Sequence, residues 1–88
     1  MVHKERSSDL ADEVPWSDKV TSYDEAHFVT YLRLLDATAE GASEEEMSHL
    51  VLGIDPTKEP QRARRALASH LKRARWMTET GYRDLLTH

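Results

Sequence analysis

The chain has no cysteine, which excludes a disulfide framework, thiolate metal sites and a cysteine nucleophile. Glycine and proline are scarce, at three each, and aromatic residues make up 7%. With abundant Ala, Leu, Glu and Arg, this favours helix over sheet. Apolar runs extend over only a few residues, and the polar stretch Met1 to Ser8 lacks the apolar core of an export signal. A soluble, cytoplasmic protein without a membrane segment is the expectation. There is no Gly-rich phosphate loop, and 88 residues leave room for one domain of three or four helices.

Catalytic chemistry is also missing. The histidines His3, His27, His49, His70 and His88 are scattered, with no i, i+4 pair of helical metal ligands. His70 falls on an apolar helix face and reads as a hydrogen-bonded core histidine. Glu44, Glu45 and Glu46 resemble a carboxylate cluster, but adjacent helix positions point different ways and a helix start accounts for them. The expectation is a non-enzyme with no catalytic residues, metal ligands or cofactor.

What is present is a charge that reverses along the chain. Residues 1 to 57 carry thirteen acids and four bases, residues 58 to 88 three acids and eight bases, and the whole sums to −4. Residues 1 to 21 show no sustained period and read as an acidic arm, disordered or loosely docked, ahead of a domain over 22 to 88. Trp16 in this arm either packs back on its own domain or anchors a partner.

A first helix is expected from Ser22, whose spacing to Glu25 forms a capping box. Its core face would be Phe28, Tyr31, Leu32, Leu35 and Ala39, and Gly41 ends it. Tyr23, His27, Thr30 and Leu34 make a second stripe, open between a partner surface and ordinary packing. Ser43 and Glu46 cap a short second helix with Met47, Leu50 and Val51 on its apolar edge. Gly53 stops it, and Ile54 makes the hydrophobic contact after the stop. Asp55 to Pro60 form a turn too long for a standard helix-turn-helix. A third helix begins near Glu59 or Pro60. Ala63, Ala66, Leu67, His70, Leu71, Ala74 and Met77 share one face, and Arg62, Arg65, Lys72, Arg73 and Trp76 lie opposite. Gly81 ends it, and Tyr82 to Leu86 make a tail or short helix that folds back over the core.

The predicted fold is therefore all-α, a small extended-turn helix-turn-helix variant with three main helices and a short C-terminal tail or helix. Arginines at one-turn spacing could contact phosphates on either side of a major groove, so Arg62, Arg64, Arg65, Lys72 and Arg73 are the DNA-contacting candidates of a repressor or excision factor. Against this stand the thirteen upstream acids, which offer the same bases intramolecular partners, and the net negative charge, which weakens DNA binding at physiological salt. Trp76, a solitary indole among charges, is covered either by the tail or by a partner. Dimerisation through the third helix is disfavoured because its apolar face is needed internally, so a monomer is expected.

The segment from Leu32 to Leu86 resembles a family first catalogued as a domain of unknown function and regarded as an extended-turn helix-turn-helix. The matching pieces are Leu34-Leu35-Asp36, Glu40-Gly41-Ala42-Ser43, the long turn after Gly53, the basic Arg62 to Arg75 helix and Gly81-Tyr82-Arg83-Asp84-Leu85-Leu86. Members occur on proteobacterial mobile elements, where activators carry a basic copy that binds DNA and short acidic stand-alone copies act as antiactivators. The resemblance implies an antiactivator of integrative and conjugative element transfer, a protein of horizontal gene transfer that blocks transcription by contact with an activator's N-terminal domain. A quorum-sensing regulator is a further candidate partner, with DNA binding weak or absent. The partner-binding residues expected on this reading are Tyr23, His27, Leu34, Trp76, Tyr82, Arg83 and Leu86.

Overall fold

A computed structural model describes residues 10 to 81 and is all-α over that range, with four helices. These are α1 (Ser22–Ala26), α2 (Phe28–Ala39), α3 (Glu44–Met47, continued by a π-helical turn Ser48–Leu52) and α4 (Pro60–Trp76, continued by a π-helical turn Met77–Gly81).

The first capping box lies one residue earlier than expected. Thr21 accepts from the Asp24 amide while the Asp24 carboxylate accepts from the Thr21 amide at 2.9 Å. Ser22-x-x-Glu25 and Thr21-x-x-Asp24 are the same pattern in adjacent phases. The second phase prevails because it turns Asp24 inward, where it is fully buried beside Arg73. A break at His27 then separates α1 from α2.

On α2 the buried residues are Tyr31, as the periodicity predicts, and Leu34, which the periodicity places on the second stripe. Phe28 and Leu32 are exposed, as is Ala39, and Leu35 is half-buried. The apolar arc of α2 is wider than the strip that α4 covers, so its outer flank stays open. Thr38, exposed, returns its hydroxyl to the Leu34 carbonyl at 2.8 Å.

Ser43 and Glu46 cap α3 as the sequence predicts, and Gly53 leaves it at φ +73°, a left-handed conformation that favours glycine. Ile54 follows, 2% exposed, with its amide on the Ser48 carbonyl at 2.9 Å. The π-helical turn shifts the register of the second half. Ser48 and Leu52 turn inward, and Leu50, expected on the apolar edge, is 67% exposed.

The turn to α4 is long, and Asp55 organises it by accepting from the Thr57 amide and hydroxyl and, through its carbonyl, from the Glu59 amide. Pro60 opens α4 at its first position. Of its expected inner face, Ala63, Ala66, Leu67, His70, Ala74 and Met77 are buried and Leu71 is half-buried, and Arg73 is added to it. The alanines let α2 and α3 approach closely. The core is one cluster of Leu34, Met47, Leu52, Ile54, Ala63, Ala66 and Leu67, and a second of Tyr31, Ala74 and Met77.

Candidate functional site

The long helix α4 presents its outer side to solvent. At 100° per residue, Gln61, Arg64, Arg65, Ala68, Lys72 and Arg75 fall within one arc, and all six are exposed. Four bases thus line one edge, with small Ala68 midway.

The other two basic candidates are engaged within the molecule. Arg62 Nε donates to Asp12 at 2.7 Å and its Nη1 to Glu59 at 3.1 Å, and these carboxylates, Asp12 first, raise its pKa. Arg73 is fully buried, so its expected place among DNA contacts is corrected. Its Nε donates to both Asp24 oxygens, Nη2 to Asp24 Oδ2 at 2.7 Å and the Lys19 carbonyl at 2.9 Å, and Nη1 to the Ser17 carbonyl at 2.7 Å. Burial alone would raise the Asp24 pKa; the Arg73 guanidinium, the Thr21 amide and the Tyr31 hydroxyl together bring it below the ordinary value. The Tyr31 phenol, buried and bonded to that carboxylate, is pushed up.

The segment Leu10 to Thr21 is a strap against α4. Val14 is 7% exposed and donates its amide to Ser69 Oγ at 2.7 Å. Trp16 meets Trp76 edge to face with centroids 6.1 Å apart, and the Arg73 guanidinium carbon lies 3.8 Å from the Trp76 centroid and 4.7 Å from that of Trp16. Lys72 reaches within 5.2 Å of the Trp16 ring. Trp76 is thus covered by the strap, an occupant that the sequence reading did not consider. Strap and α4 run side by side, Asp12 beside Arg62 and Trp16 beside Trp76.

Of the expected partner-binding residues, Leu34 is wholly buried and is core, which corrects its placement. Tyr23 and His27 are half-buried and stacked, their centroids 4.1 Å apart. Tyr23 Oη lies 2.6 Å from His70 Nε2 and accepts from the Ala11 amide at 3.0 Å. His70 Nδ1 is 2.7 Å from the Ala66 carbonyl, so this nitrogen carries the proton and Nε2 accepts from the phenol. His70 is the hydrogen-bonded core histidine expected, and burial lowers its pKa. Tyr82, Arg83 and Leu86, and the tail they belong to, lie outside the described residues. Tyr23 and Trp76 contact different residues of the strap, Ala11 and Trp16.

Among the described residues, apolar side chains line open grooves. Phe28, Tyr31, Leu32, Leu35, Ala74 and Met77 line a groove of about 340 Å³ between α2 and the end of α4. Leu50 and Val51 line another of about 330 Å³ with Ala37, Ala42, Glu40 and Glu46. Among the described residues no three His, Asp or Glu side chains gather as a metal site, and no helix is long and apolar enough to cross a membrane.

The residues missed by sequence reasoning are Asp24, Ser69 and Asp12. A capping-box aspartate gave a signal for Asp24, while nothing local marks Ser69 or Asp12 as anchors for a segment about fifty residues away. No curated protein matches the chain. A family model described as T6SS, Transcription factor, DNA binding domain matches residues 3–87, and with nearly its whole length inside that match this all-α chain belongs to the RovC-type DNA-binding-domain family.

Proposed function

We propose that this member of the family is a QseM-type antiactivator, a small non-catalytic regulator that binds a transcriptional activator of conjugative-element transfer and blocks transcription by protein contact. The observation that carries the reading is the internal engagement of two α4 arginines. Arg73 is buried on Asp24, Arg62 is held by Asp12 and Glu59, and Trp16 of the strap lies against Lys72. The net charge of −4 disfavours approach to a polyanion. Exposed Phe28, Val29, Leu32 and Leu50 supply apolar contact area of the kind protein partners use.

Capture of the cognate activator's N-terminal domain at near-physiological salt, with no shift of DNA from upstream of the transfer genes, is the expected result. A DNA shift at sub-micromolar protein without capture refutes it. A DNA-binding regulator is the second reading, favoured by the family and by the outward row Arg64, Arg65, Lys72 and Arg75. On that reading affinity falls steeply with salt, and Arg65→Ala reduces the slope by about one.

A further inference from the structure

The π-helical turn after α3 leaves an apolar side chain where an ordinary amphipathic helix would have buried one. Leu50 is 67% exposed at the mouth of the groove that Ala37, Ala42 and Val51 floor. Glu40 and Glu46 stand on the rim of that groove. Arg33 borders it, with its Nη2 on the Leu50 carbonyl at 3.2 Å. From Leu34 to Thr57 the chain holds six acids and no Lys or Arg. The pole around Leu50 therefore combines an apolar centre with Glu40 and Glu46 at its edge.

We infer that this pole, centred on Leu50, is the partner-docking surface, and that its occupant is a cationic amphipathic helix of another protein, with leucine-like side chains in the groove and Lys or Arg over Glu40 and Glu46. This rests on the protein-contact reading above. Charge complementarity selects the occupant. An acidic peptide would meet repulsion, and an uncharged apolar helix would leave the acids unpaired, whereas a basic helix gains steering from the rim and burial from the centre. Exposure of a leucine at the centre and acids at the edge is the arrangement in which a few buried contacts carry affinity and rim charges set the on-rate and salt dependence.

The test titrates the full-length ¹⁵N-labelled protein with a synthetic helix of about 18 residues, leucines on one face and arginines flanking. Expected are shifts at Ala42, Glu46, Leu50 and Val51, binding about tenfold weaker when serines replace the leucines, and a loss of similar size for Leu50→Ser and Glu40→Lys. Both positions are exposed, so the fold is retained, which the spectra confirm. Shifts at Phe28 and Leu32 instead, or equal binding by both peptides or by both variants, overturn the assignment. A parallel capture of the activator domain separates the two claims. Capture by wild type and variants alike refutes the Leu50 surface and keeps the antiactivator reading. Peptide binding at Leu50 without activator capture refutes the antiactivator reading and keeps the surface.

Discussion

Removal of the Arg73 guanidinium is expected to remove a large share of the domain's stability, not to alter DNA affinity selectively. Arg73 and Asp24 both have fully buried side chains, and three bonds join them, with two more to the Ser17 and Lys19 carbonyls. Arg73→Leu would remove the guanidinium from the faces of Trp16 and Trp76 and leave a buried carboxylate facing only the Tyr31 hydroxyl and the Thr21 amide, and two strap carbonyls without donors. Breaking a buried pair in this way costs about 3–5 kcal/mol. A domain of this size has a total stability of about 4–13 kcal/mol at roughly 0.05–0.15 kcal/mol per residue. Urea unfolding followed by far-UV circular dichroism, with Trp fluorescence reporting the strap, measures the loss. Asp24→Leu combined with Arg73→Leu should be less destabilising than the sum of the two single changes, because neither orphaned charge remains. A loss below about 1 kcal/mol for Arg73→Leu would refute the argument, since that is the range of a single exposed pair.

Neutralising the strap with Asp12→Asn, Glu13→Gln and Asp18→Asn should raise affinity for a short DNA duplex and steepen its salt dependence. Glu25→Gln, Asp36→Asn and Glu40→Gln, exposed acids outside the strap, serve as a control of equal charge, and equal gains from both sets would show that only net charge matters. The buried neutral His70 makes stability depend on pH. Its folded pKa lies below the ordinary 6.5, so the unfolded chain binds the proton first, and the contribution present above about pH 6.5 is lost as pH falls toward the folded value. His70→Gln should flatten the stability curve below about pH 6.5, and an unchanged slope would contradict the assignment. Gly53→Ala should cost about 1–2 kcal/mol in a thermal or urea melt, because φ is +73° and alanine is strained there, although no atom lies within 4 Å of the added Cβ. A neutral result would show that the α3 stop relaxes.

Helix starts and stops were legible because their signals are local. Ser43 with Glu46, Gly53 with Ile54, and Pro60 all act within a few residues of themselves, and the inner face of α4 followed from its period. Whatever depended on a change of register was not. Thr21 and Ser22 offer overlapping capping boxes, and only the distant Arg73 decides between them. Leu50 left the predicted apolar edge because α3 widens to a π-helical turn, which no spacing rule for a regular helix anticipates. On α2, periodicity gave an apolar arc without saying how much of it α4 would cover, so Leu34 and Phe28 exchanged roles between core and surface.

The charge argument shows the same division at the level of function. Counting acids and bases identified a conflict between a basic helix and a net-negative chain, but a count treats every arginine on α4 alike. The fold divides them. Arg73 is a structural cation that no phosphate can reach, Arg62 is tethered to the strap, and Arg64, Arg65, Lys72 and Arg75 alone retain an outward face. A chain of this family could therefore lose DNA affinity without losing its basic helix, provided that acids are placed on a segment that lies against it. Asp12 reaches Arg62 across fifty positions of sequence, and the same backbone carries Val14 into the core and Trp16 onto Trp76. Electrostatic masking and packing of the strap are thus coupled. Weakening the packing, as in Val14→Ala, should release the acids together with the indole, raising DNA affinity while Trp fluorescence reports exposure. If fluorescence changes and DNA affinity does not, the strap is a structural element alone and the suppression of DNA binding lies in the net charge.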